Sequence, residues 1–309
     1  MAARAIEEGL SLIRRASASA NGYYSAYERL FYFADSNGRE LSHPATAVRF
    51  GTTITKGAGK GYSSFYHPDP KELKVASVTQ KAIQLAEQAS VREVSLKSGE
   101  YECILSPRAF IELIEPLRHH FDSHLYQKGK TAFSGMLGKR VFSEHLTLSD
   151  DVTYSHQFGV PFDAEGKAKR KTVLIERGIL KGFLAEGNST RGFLEHPVYP
   201  ENLVVGHGTK SLAELFKKID RGIFINKIRY HTLVRQTHGM EVTGLATAGC
   251  LYIEKGRILG RVEHLRYYDS LFSILGSIRG LSREQILLKD GETGAVLFPY
   301  FWLSKLRVV

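Results

Sequence analysis

A chain of 309 residues with 43% hydrophobic and 24% charged residues is long enough to bury a core and too mixed to be fibrous or disordered. Its net charge of +10 permits acidic partners, but the bases are spread out, so a nucleic-acid surface is not the expectation. Two cysteines, Cys103 and Cys250, are too few for a disulfide scaffold and point to a reducing compartment, and no apolar run approaches the roughly 20 residues of a membrane-spanning helix.

Residues 1–20 are rich in Ala, Ser and Arg. Glu7 and Glu8 argue against a secretory signal, while Ile6, Leu10 and Ile13 suit a short amphipathic helix, so a cytoplasmic protein is expected. Asn21-Gly22 reads as a turn, and Asp35-Ser36-Asn37-Gly38 as the turn of a hairpin between strand-like runs. Residues 47–55 alternate as a strand, residues 56–61 turn and residues 62–66 return. The glycines at 57, 59 and 61 around Lys60 lack the frame of a phosphate loop, because position 54 is Ile and Lys60 is followed by Gly61. Asp69-Pro70 reads as a helix start, with Val75, Val78, Ala82, Leu85, Ala86 and Ala89 on the buried face. The polar stretch 90–99 suggests a boundary between an N-terminal unit, residues 1–96, and a second unit, residues 97–309.

Residues 101–105 predict a strand entering Ser106-Pro107, a cap followed by a Pro that has no N–H to waste. Phe110, Leu113, Ile114, Leu117 and Phe121 then recur at helical spacing, and Glu112, Glu115 and His119 form a polar stripe on the opposite side. A Gly-rich loop at 128–139 and a strand at 141–148 follow. Lys167 to Lys171 is the densest basic run and reads as a solvated edge beside a hairpin. Arg177-Gly178 and Glu254-Lys255-Gly256-Arg257 read as hairpin turns, and Ser211 with Glu214 as a capping box opening a short helix stopped by Gly222. Asp269 reads as the cap of a last helix carrying Leu271, Phe272, Leu275 and Ile278. The expected class is α+β: a small N-terminal antiparallel sheet with helices, then a strand-rich, mostly antiparallel unit.

Several motifs occur in a fixed order: Gly129-x-x-x-Phe133-Ser134-Gly135-x-x-Gly138, Ser149 before Asp150-Asp151, Pro161-Phe162-Asp163-x-Glu165-Gly166, the hairpin 174–181, and Pro200-Glu201-Asn202-Leu203. Arg229-Tyr230-His231, Thr243-Gly244, the run 253–257 and Leu265-Arg266 continue the series. Together they resemble the TldD/PmbA (TldD/TldE) metallopeptidase family over the last two-thirds of the chain. The resemblance implies a PmbA/TldD-type C-terminal unit and a longer N-terminal domain than this chain has.

In the TldD branch the resemblance implies a His-Glu-x-x-x-His helix, with two zinc-binding histidines and a Glu as general base. Zinc needs about three protein ligands and one open site. Anchored on Phe133-Ser134-Gly135, the six positions fall on Ile114-Glu115-Pro116-Leu117-Arg118-His119. Glu115 and His119 match; Ile114 has no lone pair to give, and Pro116 is expected to kink the helix. The family's zinc enzymes add a cysteine near the C-terminus, and nothing after Cys250 serves. This departure is that of the PmbA/TldE branch, whose members lack the complete motif and pair with a TldD subunit.

Glu115 and His119 are therefore either a residual site or a polar face against solvent or a partner. His120 and His124 fall one turn apart if the helix continues, a candidate metal pair needing a third ligand such as His145 or His156. His196, His207, His231, His238 and His264 are scattered and read as structural. Asp163 and Gly166 read as a rigid Asx-turn, and Ser134 lacks the Gly-x-Ser-x-Gly frame of a nucleophile. Three functions follow from these readings. The first is a PmbA/TldE-like subunit of a peptide-processing complex, dimeric with itself or with a TldD-like chain. It would bind no metal alone, with zinc possible in the complex, and its substrate would be an unfolded or modified peptide. The alternatives are an active metallopeptidase with a rearranged metal site and a DNA-associated regulator.

Overall fold

The computed structural model describes residues 2–154, 159–184, 199–235, 239–290 and 294–309. Helix α1 (Ala2–Arg15) leads into three antiparallel strands, β1 (Ser19–Ala34), β2 (Glu40–Lys56) and β3 (Gly59–His67), and helix α2 (Val75–Ser90). Ile54 of β2 packs with Ala82, Ile83 and Ala86 of α2, and Leu12, Ile13 and Ala16 cover this cluster. The apolar stripe of α1 thus includes Ile13, but Leu10 is exposed and Gly9 takes the buried position beside Val75.

The hairpin at Asp35-Ser36-Asn37-Gly38 forms as expected, joining strands much longer than the sequence indicated. Asn21-Gly22 is not a turn. Gly22 sits inside β1 opposite Thr52, where a Cβ would lie 2.6 Å from the Gly51 carbonyl oxygen, so the glycine permits a close strand approach. In the 57–61 run only Gly57 turns the chain, with φ of 56°. Gly59 and Gly61 let β3 touch α2, since Cβ atoms there would lie 2.1 and 2.2 Å from the carbonyl oxygens of Ala86 and Ala82. Asp69-Pro70 opens only a 3-10 turn (Pro70–Glu72), the Asp69 side chain accepting from Lys71 N, and α2 begins afresh at Val75.

The rest of the chain builds one large sheet of thirteen strands among the described residues. Its elements are β4 (Gly99–Leu105), α3 (Pro107–Arg118), α4 (Ser123–Gln127), β5 (Leu148–Asp150), β6 (Thr172–Glu176), β7 (Ile179–Leu180) and β8 (Leu203–Val205). There follow α5 (Leu212–Phe216), β9 (Arg221–Ile225), β10 (Lys227–Arg235), β11 (Glu241–Thr247), β12 (Leu251–Glu254), β13 (Arg257–Arg261), β14 (Arg266–Ser270), α6 (Leu271–Gly276), β15 (Ile278–Asp290) and β16 (Gly294–Val308). The main path runs β13-β12-β9-β4-β16-β8-β5-β6-β7, with β15 and β14 also on β16 and with β10 beyond β11. Among the strands of the described residues only β4 with β9 and β8 with β16 pair in parallel, so the α+β, mostly antiparallel class is borne out.

Three local expectations shift. Residues 141–147 form no strand, because the N–H groups of Val141 and Phe142 both donate to the Gly178 carbonyl at 2.8 and 3.1 Å instead of to a ladder. Gly222 lies within β9 and α5 ends earlier, at Phe216. Helix α6 is capped by Ser270, whose hydroxyl accepts from Ser273 N, while Asp269 belongs to β14. The capping box of Ser211 and Glu214 and the turns at Arg177-Gly178 and Lys255-Gly256 stand where the sequence put them. No helix among the described residues is long and apolar enough to cross a membrane.

Candidate functional site

Helix α3 starts where its cap dictates. Ser106 Oγ accepts from Ala109 N at 3.1 Å and donates to the Asn226 carbonyl, tying the helix to the end of β9. Phe110, Leu113, Ile114 and Leu117 are buried, with Phe110 wedged between Phe298 and Phe301 of β16. Glu115 and His119 lie outward on the predicted stripe. The helix runs through Pro116 and ends at Arg118, where it tightens into a 3-10 turn (His119–Phe121).

Around the end of α3 a cluster forms that the stripe alone did not disclose. Glu115 Oε1 accepts from the Tyr199 hydroxyl at 2.5 Å, and Oε2 accepts from Arg118 Nη1 at 3.1 Å. Arg118 is 1% exposed; its Nε and Nη2 both donate to the Pro200 carbonyl, and its guanidinium lies 4.1 Å from the Tyr199 ring centre. The His119 ring leans on the same tyrosine, 4.9 Å between centres. Against the other flank of α3, His231 of β10 pairs its Nδ1 with the Tyr267 hydroxyl at 2.7 Å. Burial pushes the His231 pKa down to about 4, against the opposing pull of Glu115 and the Leu113 carbonyl. Sequence reading had set His231 among the scattered histidines; its place in Arg229-Tyr230-His231 was the available signal.

The other candidate ligands do not converge. His120 is buried and its Nδ1 accepts from Ala132 N at 3.0 Å, a structural bond made by a neutral ring that burial holds below the ordinary histidine pKa. The helical path stops at Asp122, whose backbone turns extended and whose side chain accepts from Leu125 N to start α4. His120 and the exposed His124 are consequently not on one helix, and the condition for a one-turn metal pair is not met. His145 is exposed on the 141–147 segment; His156, His196 and His238 lie outside the described residues. Cys103 and Cys250 are free and buried, and burial pushes both thiols up, Cys250 to about 12. Among the described residues no group of three or more His, Cys, Asp or Glu is placed to hold a metal ion.

Beneath Arg118 the motifs meet in a buried polar core. Asp150 Oδ1 accepts from Asn202 N at 2.7 Å, and Lys169 pairs with Glu201 at 3.0 Å, their side chains 3% and 6% exposed. Lys169 is thus no part of a solvated edge: β-bridge pairing of Phe162 with Ala168 turns the run inward there, while Lys167 and Lys171 stay outside. Burial raises the Asp150 pKa to about 6, opposed by the Asn202 N–H and by Lys169. Asp163 forms the expected Asx-turn, its Oδ1 accepting from Glu165 N and Lys167 N at 2.8 Å each, with Gly166 at φ of 70°. This core fixes the Pro200 carbonyl that orients Arg118, and through it the face that Glu115 presents.

The strand-rich unit that carries α3 falls in a class of metallopeptidase-related proteins. The family model for the PmbA/TldA metallopeptidase C-terminal domain matches residues 98–309, and the chain belongs to the TldD/PmbA family. It is 28% identical over 186 residues to a metalloprotease TldD homolog of Buchnera aphidicola, 54% of this chain and 38% of that protein. It is 34% identical over 146 residues to a metalloprotease of Methanocaldococcus jannaschii, 42% and 32% of the two chains. The matched stretches span well under half of those relatives' lengths. The fold is that of TldE from Thermococcus kodakarensis, with TM-score 0.85 and 22% identity over 99% of this chain and 73% of that one.

The residues present do not fit the zinc site that the resemblance implies. Ile114, the residue at the first ligand position that the resemblance implies, is 3% exposed within the hydrophobic core, away from the face that carries Glu115 and His119. Glu115 is held by two donors, one of them a fixed cation.

Proposed function

We propose that this chain is the PmbA/TldE-like, non-catalytic subunit of a cytoplasmic peptide-processing complex, in which a TldD-type partner carries the zinc and performs hydrolysis. The observation that carries the reading is Ile114. A core isoleucine cannot ligate, and the Arg118–Glu115–Tyr199 arrangement turns the general-base position into a positioned, ion-paired surface group. What that face does well is dock. It combines a carboxylate fixed in orientation with an aromatic ring held by Arg118 and His119, features of contact residues at protein interfaces. The substrate on this reading is an unfolded or modified peptide, held in extended form by strand addition.

Zinc content per chain, measured on the protein alone and after co-purification with a TldD-type subunit, tests this. The expected result is no stoichiometric zinc in the lone chain and zinc with chelator-sensitive peptidase activity in a stable co-complex. Near-stoichiometric zinc in the lone chain, lost in His119→Ala, would make it a metallopeptidase with a rearranged site and overturn the proposal. Failure to form the co-complex would overturn it equally.

A further inference from the structure

A cleft of about 540 Å³ opens between the two sheets, far along the chain from the α3 motif. Its floor is the end of β11 and the β11–β12 connection, residues 245–250; one wall is the tip of the small sheet with Thr53, Thr55 and Lys60, and the other is Lys227, Arg229 and Tyr230 of β10. A volume of this order suits a ligand of a few residues.

The charges in it are unbalanced. Arg261 is neutralised by Glu263 at 2.8 Å and Glu93 at 2.7 Å. Lys60, Lys227 and Arg229 have no ion pair among the described residues. Lys227 is half-buried with its Nζ 4.1 Å from the Tyr62 ring centre, and burial together with Arg229 and Arg108 lowers its pKa against the opposing pull of Glu112, so an incoming anion relieves a standing cost. Glu263, held by Arg261 and also within electrostatic reach of Lys60, is the one carboxylate among the described residues lining the cleft.

Two further observations mark the cleft as built. Tyr230, Ala248 and His264, three of the seven non-glycine residues with positive φ among the described residues, all line it, at 54°, 35° and 53°. Such backbone costs of order 1–3 kcal/mol per residue and persists where surroundings demand it. In addition, Thr247 Oγ1 is buried without a hydrogen-bond partner at its floor.

We infer that this cleft binds an acidic, extended peptide segment, its carboxylates on Lys60, Lys227 and Arg229 and its main chain across the floor beside Thr247. The cations line two walls instead of converging on one point, which suits carboxylates spaced along a strand better than a single phosphate. The inference rests on the peptide reading above and names its substrate class. Its test reads binding alone, so failure of hydrolysis in a co-complex and failure of this cleft are separate results.

The probe is fluorescein-labelled hexaglutamate, followed by fluorescence anisotropy on the purified chain, with labelled hexalysine, pyrophosphate and a single-stranded oligothymidylate as competitors or comparisons. Saturable one-site binding is expected, weakened at least tenfold in Lys60→Glu/Arg229→Glu and within twofold of the parent in Lys139→Glu/Lys218→Glu, which makes the same charge change elsewhere on the surface. All four residues are exposed, so these variants retain the fold, as thermal unfolding will verify. Absence of saturable binding, equal loss in both double variants, or tighter binding of pyrophosphate or the oligonucleotide through Lys60 and Arg229 would each overturn the assignment.

Discussion

The Tyr199 hydroxyl donates to Glu115 Oε1 at 2.5 Å across 84 residues of chain, and Arg118 holds the other oxygen of the same carboxylate. Removing the hydroxyl alone leaves the Tyr199 ring against Arg118 and His119. Tyr199→Phe should therefore cost no more than about 1 kcal/mol in urea unfolding, because Glu115 is half exposed and water replaces the lost donor. A loss several times larger would mean that the carboxylate is structural instead of presented.

Arg118 is the opposite case. Its charge is buried and two of its nitrogens donate to the Pro200 carbonyl, so Arg118→Met strips that carbonyl of two donors and releases residues 199–200 from α3. The expected destabilisation is about 3 kcal/mol or more, against less than about 1 kcal/mol for Glu115→Gln. Equal effects in the two variants would refute this division of roles.

Lys169 and Glu201 form a buried ion pair. Lys169→Met leaves a buried carboxylate without its ammonium and should cost about 3–5 kcal/mol, whereas Lys169→Met/Glu201→Leu should recover much of that loss. A double-mutant cycle by chemical denaturation measures the coupling; additive losses would show that the pair is not coupled.

Asp150 and His231 give stability opposite pH dependences. Asp150 has a folded pKa near 6 against an ordinary 3.8, so between those values the folded state binds more protons and this residue's contribution falls as pH rises. Asp150→Asn keeps an acceptor for Asn202 N, and its stability relative to the parent should increase from pH 4 to 6 and level off above. His231 is depressed from 6.5 to about 4, so the unfolded state binds more protons in that window and stability is lost as pH falls through it. His231→Phe should accordingly be least harmful at the acid end. A difference profile flat with pH in either variant would contradict the burial argument.

Gly178 has φ of 77°, and a Cβ there would lie 2.3 Å from the Phe142 carbonyl oxygen. Gly38 has the same φ with nothing within 4 Å. Gly38→Ala should cost about 1 kcal/mol for its backbone alone, and Gly178→Ala clearly more, because the 141–142 segment must also move. Similar losses would mean that the segment yields freely.

The sequence by itself determined whatever is settled within a few residues. Ser106-Pro107, Ser211 with Glu214, Arg177-Gly178, Lys255-Gly256 and the Asp163 turn are satisfied by backbone groups two to four positions away, so they were legible directly. Equally legible was the missing donor at Ile114, a matter of side-chain chemistry. Only the tertiary structure decided that Asn21-Gly22 lies within a strand, since a partner strand supplies its hydrogen bonds and close contact. It also decided that Lys169 is buried and that His120 and His124 part at Asp122. Arg118 and Tyr199 meet their partners 82 and 84 residues distant. A charge is exposed or buried, and a carboxylate presented or neutralised, according to what the fold brings against it, and no local spacing carries that information.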